Sequence, residues 1–289
     1  MRLAAVGGTA VARAKRRLKM RRRKLVAGCF LDPMRELKKQ VRIVGALILR
    51  ELVTRYGREG LGFLWLVLEP LVFCFGVMGM WTLIKPEYEH GIRLGPFIMT
   101  GYMSILVFRH VVGISTGALQ ANIGLMQHRI VRPLHIYAAR TVMEFIGCAL
   151  AFLVVYVVLL AIEWVEPPQD YLKLYSGYLL MGWVSVGFAL TISSLAIRYE
   201  VIERVLPVSM YLIIPLSGAF FMMDWIPPGY REILLLNPLP HTIEMVRDGV
   251  FGEFVKTHYN PVYPLAFGGV MTFVGLLMLA QARRYVEVE

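Results

Sequence analysis

Six stretches of this chain, residues 61–84, 96–121, 141–162, 174–197, 205–223 and 262–280, are each close to the length of a helix that crosses a lipid bilayer. At 1.5 Å rise per residue, about 20 apolar residues cover a hydrocarbon core of roughly 30 Å. Inside that core the backbone must satisfy its own hydrogen bonds, and runs of this length do so as helices. The expected fold is therefore all-α, a polytopic membrane protein with six transmembrane helices. With 57% hydrophobic and only 18% charged residues in 289, an ordinary soluble domain is excluded.

The net charge of +11 carries information through its distribution. Seventeen lysines and arginines precede Gly60, and residues 122–140, 198–204 and 283–284 add seven. The alternate connections hold six: Lys85, Arg93, Lys173, Arg231, Arg247 and Lys256. An even number of spans puts both ends on one side, and the positive-inside rule makes that side the cytoplasm.

Residues 1–34 read as a basic cytoplasmic tail, with RAKRRLKMRRRK at 13–24. Beside a bilayer such a run attracts anionic phospholipid at about 1 kcal/mol per basic residue near the surface. No folded reader accompanies it, so nucleic acid is not an expected partner. Residues 35–58 are amphipathic, Leu37, Val41, Val44, Ile48 and Leu52 recurring at steps of four and three. They suit a helix lying in the membrane interface.

Between the last two runs, residues 217–254 are too apolar for a loop and are broken by Pro227, Pro228, Pro238 and Pro240. Two short helices are expected, one over 229–236 and one from 240 to 249 or 252. Two half-length helices between two spans suggest a re-entrant hairpin, tolerated at membrane depth where protein or water covers its backbone. The alternative is a pair of helices lying on the membrane. The charge count places the segment outside.

Ionisable groups at membrane depth are expensive and face a bundle interior, a partner charge or a water-filled path. Arg109 falls near the centre of the second run, Glu69 in the first and Glu144 near the start of the third. Both glutamates are expected nearer the cytoplasmic end, leaving Arg109 as either a paired structural cation or a cation lining a conduit. The aromatics Trp65, Tyr102, Phe108, Phe220 and Phe221 are core or interfacial residues, or in part a stacking track for sugar rings. The basic connection 125–140, broken by Pro133, is an elbow suited to docking on another protein. The six histidines are scattered and form no metal or catalytic constellation, and no phosphate-binding loop is present. No catalytic residue, metal or cofactor is expected on this chain, and an intramembrane enzyme or a secondary transporter with repeated halves is disfavoured.

RELVTRYG, LGFLWLVLEPL, ANIGLMQHRIVRPLHIYAARTVMEF and SGAFFMMDWIPPGYREILLLNPLPHTIEMVRDGVFG, in this order, resemble the permease subunits of bacterial polysaccharide exporters of the type-2 ATP-binding-cassette class, nearest to the KpsM-like capsular group. The resemblance covers residue 35 to the C-terminus. It implies a homodimer of six-span permeases (domain 61–281) in the bacterial inner membrane, resting on two copies of a separate ATPase that binds ATP and magnesium. The substrate so implied is a lipid-linked, acidic polysaccharide, with a periplasmic or inner-membrane adaptor as a further partner. O-antigen or teichoic acid export by the same architecture is the alternative. Residues 35–58 match the gate helix, and Gln127, His128, Arg129, Arg132, Pro133, His135 and Tyr137 fall in the ATPase-coupling region. Tyr230, Arg231, Glu232, Asn237, His241, Glu244 and Arg247 fall in the periplasmic gate helices, within 224–254. Arg109, Tyr102, Phe108, Trp65, Glu69, Phe220 and Phe221 are the expected channel residues.

Overall fold

The computed structural model describes residues 33–56, 62–85, 88–89, 91–126 and 130–286. The tail over 1–32 and the coupling positions Gln127, His128 and Arg129 lie outside the described residues. The chain divides into two compact units, 1–46 and 47–289. Helix α1 (Pro33–Tyr56), whose residues up to 46 belong to the first, begins at a proline, whose missing N–H costs nothing at a helix start. There Leu37 and Val41 are exposed, and Glu36 and Lys39 pair at 4.0 Å one turn apart.

The second unit contains α2 (Gly62–Ile84), a two-stranded antiparallel hairpin of β1 (Tyr88–Glu89) and β2 (Ile92–Arg93), and α3 (Leu94–Ser115). After a 3-10 turn and α4 (Ile123–Met126) come α5 (Pro133–Ala161), α6 (Tyr171–Ala196), α7 (Glu200–Leu216), α8 (Pro228–Leu234), α9 (Pro238–Phe251) and α10 (Val262–Val286). Among the described residues five helices, α2, α3, α5, α6 and α10, are long and apolar enough to cross a membrane. The fifth expected span, 205–223, corresponds to α7, 17 residues long with Pro207 and Pro215 inside it, followed by a turn from Ser217. Its rise of about 26 Å lies at the short end of the range for a crossing helix.

The core is built around α3, 78% of whose apolar window is buried against 17% for α2 and 22% for α10. It packs on α2, α5, α6, α7 and α9. In lipid, apolar side chains gain little from leaving one hydrocarbon for another, so association relies on close packing and polar cross-links. The α6–α10 contact uses such links: Trp183 donates to the Leu265 carbonyl (3.0 Å), Thr191 to Met271 (2.9 Å) and Ser194 to Gly275 (3.3 Å). Gly249 lets α9 lie against the start of α6, where a Cβ would come within 2.4 Å of the Leu174 nitrogen.

The broken segment forms two helices close to the expected bounds, and they differ in environment. No residue of α8 is buried, whereas eleven of α9 are, packed against α3, α6 and α10. Pro228 and Pro238 each stand at a helix start, and Asn237 caps α9 by accepting from the Leu239 N–H at 3.1 Å.

A candidate transport groove between an elbow and a capped end

A cavity of about 610 Å³ opens between α2, α3, α5 and α7. It is lined by Glu69, Phe73 and Val77 of α2, Tyr102, Leu106, Arg109, His110 and Gly113 of α3, Glu144 of α5, and Leu206, Pro207, Met210, Tyr211 and Ile214 of α7, with Phe220 beyond it. Arg109 lies over the Tyr211 ring at 4.9 Å, and its Nε is buried without a hydrogen-bond partner. Such stacking on an aromatic face holds a guanidinium while leaving its N–H edge available. His110 Nδ1 meets Glu144 at 3.3 Å, and the Glu144 side chain is 2% exposed. An aromatic stack runs alongside: Phe220 lies 4.9 Å from Trp81 and 6.1 Å from Tyr102, nearly parallel to both.

The groove thus gathers four of the seven expected channel residues, Glu69, Tyr102, Arg109 and Phe220. Phe108 is fully buried and packs edge-on against Phe188 at 5.2 Å, away from the lining. Trp65 is exposed and outside it, and Phe221 contributes its carbonyl to the network described next. Glu69 and Glu144 share the groove with Arg109, although their positions along the chain suggested another level. His110 and Tyr211 join them with no local sequence signal, because facing positions on different helices set the groove.

At one end the turn after α7 is held by Arg247 of α9, which has no exposed surface. Its Nη1 donates to the carbonyls of Gly218 (2.9 Å) and Phe221 (2.8 Å), and its Nη2 to Ala219 (2.7 Å). The guanidinium covers the Phe97 ring at 4.1 Å and meets Glu244 at 3.7 Å. Glu244 in turn accepts from the His258 N–H (3.0 Å) and the Met223 N–H (3.4 Å). Burial pushes the Glu244 carboxyl up, and lowers Arg247 to about 10.

A second cluster closes the same end. Arg231 donates to the carbonyls of Met223 (2.8 Å), Ile226 (3.0 Å) and Asp224 (3.3 Å). His258 Nε2 lies 2.9 Å from Asp224 and 3.1 Å from Arg231, and Lys256 reaches Asp224 at 3.4 Å. The His258 hydrogen bond, with Lys256, holds the Asp224 carboxyl below its usual value. His241 donates from Nε2 to the Leu235 carbonyl (2.8 Å) and accepts the Asn260 N–H at Nδ1 (3.0 Å), the bonding pattern of a neutral ring. Burial pushes its pKa below the usual 6.5. Tyr230 and Glu232 stay exposed on α8, and Asn237 also donates to the Leu216 carbonyl at 3.2 Å.

These shifts predict an acid-labile end. A histidine whose folded pKa is lowered costs stability as pH falls below its ordinary value of about 6.5. Asp224 acts in the same sense at lower pH, its contribution present above its ordinary 3.8 and lost as pH falls through the depressed value. Glu244, shifted up, works oppositely, its cost growing as pH rises through the folded value. Comparing wild type with His241→Gln isolates the first effect: the melting temperature of wild type should fall from pH 7.5 to 5.5 more steeply than that of the variant. Equal slopes would remove His241 as the cause.

At the other end of α3, the elbow is pinned to residues 47–56 of α1. Arg50 donates to Asn122 at 2.8 Å, and Glu51 pairs with Arg140 at 3.0 Å, both acid and base largely buried. Arg140 also donates to the Ile114 carbonyl at 3.2 Å. Of the expected coupling residues, Pro133 starts α5, Arg132 is exposed before it, and His135 and Tyr137 are buried, His135 Nδ1 accepting the Arg132 N–H at 3.1 Å.

A helical membrane bundle with a groove that holds Arg109, one arginine-held end and one basic elbow is an architecture suited to a transport permease. The chain belongs to the ABC-2 type transporter family, whose model matches residues 42–251. It is 36% identical to the capsule polysaccharide export inner-membrane protein CtrC of Neisseria meningitidis serogroup B over 248 residues, 86% of this chain and 94% of CtrC. It is 31% identical to BexB of Haemophilus influenzae, named likewise, over 86% of this chain and 94% of BexB. The polysialic acid transport protein KpsM of Escherichia coli is 29% identical over 81% of this chain and 91% of KpsM.

Proposed function

We infer that this chain is the membrane subunit of an ATP-driven exporter that moves a lipid-linked capsular polysaccharide, acidic in character, across the bacterial inner membrane. The reading rests above all on the likeness to capsule export proteins along nearly their whole length. The groove supports it, since Arg109 on Tyr211 offers a cation to an acidic sugar chain and the aromatic side chains of Phe73, Tyr102, Tyr211 and Phe220 line the same cavity. Both termini lie in the cytoplasm. The chain acts as a homodimer with two copies of a separate ATPase seated at the elbow, which binds ATP and magnesium. The Arg247 end then faces outward as the gate, beside an export adaptor, and the basic N-terminal segment meets anionic phospholipid. ATPase closure moves the elbow, and the Glu51–Arg140 and Arg50–Asn122 links carry that motion to α1 and α5.

The test is complementation in a bacterium lacking its capsule permease. The chain should co-purify with its ATPase and restore surface polysaccharide, and Arg109→Ala should lower export about tenfold, the weight of about 1.4 kcal/mol, with co-purification intact. Full export by the chain without any ATPase would sink the reading.

A further inference from the structure

A second cavity, of about 320 Å³, lies at the gate end and is separate from the groove. Three segments far apart in sequence build it: the β1–β2 hairpin with Tyr88 and Arg93, the α5–α6 connection with Glu163, Trp164, Glu166 and Gln169, and the end of α9 through Phe254. Its volume suits one or two sugar rings and lies at the small end of the range for ligand sites.

The cavity is built rather than loose. Tyr156 donates to the Glu166 carbonyl at 2.6 Å, Arg93 to the Glu163 carbonyl at 3.2 Å, and the Asp170 N–H to the Gly249 carbonyl at 2.9 Å. Glu163 takes a positive φ of 58°, rarely adopted by a side-chain-bearing residue. The Arg93 guanidinium lies 4.8 Å over the Trp164 ring and makes that ring a fixed wall. Phe254, by contrast, is 70% exposed and Tyr88 54%, two aromatic rings left largely uncovered at the rim. The side chains of Glu166 and Gln169 are exposed between these walls.

We propose that this cavity is a saccharide-binding site for a neutral or N-acetylated hexose unit. Aromatic faces pack against the C–H faces of a pyranose ring, and planar carboxylate and amide groups bond adjacent hydroxyls; few other small ligands use both together. The charge selects among sugars. Glu163 and Glu166 outnumber Arg93, so an anionic sugar is disfavoured here. The site therefore holds an emerging chain by its uncharged units after these leave the groove. The inference rests on the export reading only for the source of the sugar.

Saturation-transfer NMR tests it, using the full chain in lipid nanodiscs without glycoside detergents and N,N′-diacetylchitobiose and maltose as probes. Irradiating aromatic protons should transfer magnetisation to ring protons of at least one probe. Phe254→Ala combined with Gln169→Ala should weaken that binding about tenfold. Both side chains are exposed, so the fold is retained, and Glu166→Gln provides a milder check with an expected loss of about threefold. Transfer to neither probe, or binding unchanged in all these variants, overturns the proposal. Transfer that persists in the variants while a periplasmic peptide partner protects Phe254 would assign the cavity to protein docking instead. Because the readout needs neither ATPase nor transport, its failure leaves the export reading standing.

Discussion

Arg247→Met is expected to destabilise the protein by about 3–5 kcal/mol, the usual cost of removing one partner from a buried charged network. The loss is large because the side chain satisfies three carbonyls that lie close together at the end of α7. With methionine in place, those oxygens stay buried without their donor, and the buried Glu244 carboxylate keeps two backbone N–H donors but loses its cation. Lysine should recover part of the loss, since its ammonium is a point charge without the planar fork that reaches separate acceptors. The double variant Glu244→Gln, Arg247→Met should be more stable than the sum of the single effects, because the buried carboxylate without a compensating cation is gone. Thermal unfolding of the purified chain in detergent measures all four. A methionine variant that melts with wild type would mean that the Arg247 network contributes little.

The second large effect is expected at Gly101. A Cβ there would lie 2.0 Å from the Ala219 oxygen and 2.6 Å from Arg247 Nη2. Neither neighbour can yield readily, because one is backbone and the other is bonded to that same backbone. Gly101→Ala should therefore push the turn from α3 and cost about 1–3 kcal/mol, the range for overpacking, with export reduced further as the turn loses its seat. Gly269→Ala is the control: no atom lies within 4 Å of its Cβ, and a gain in helix propensity should leave stability equal or slightly higher. Equal melting of the two alanine variants would refute the close approach at Gly101.

The two expectations explain each other. Arg247 sits far along the chain from residues 218–221, and its importance follows from the close approach that Gly101 permits. In sequence, Arg247 is one polar residue among several in a short amphipathic helix. The same holds for Glu51, Arg140, Arg50 and Asn122: each reads as a polar residue near a membrane face, and only folding pairs them. The groove was partly legible. A charged residue in an apolar run is costly enough to announce itself, so Arg109 and Glu69 stood out. Phe108 was indistinguishable from Tyr102 by type, yet the helix rotates it into the core against Phe188.

Length and apolar patterning by themselves determined that this chain is an all-α membrane protein, because a bilayer leaves the backbone few other solutions. The proline pairs likewise marked the starts of the two short helices to within two residues, 229 and 240 being expected and Pro228 and Pro238 found, since proline removes a donor that a helix start can spare. Only the tertiary structure decided that α7 stops at Leu216, that α9 is buried while α8 is not, and which aromatics line the groove. The reason is physical: helix formation depends on neighbours a few residues apart, whereas a groove depends on which faces of separate helices meet.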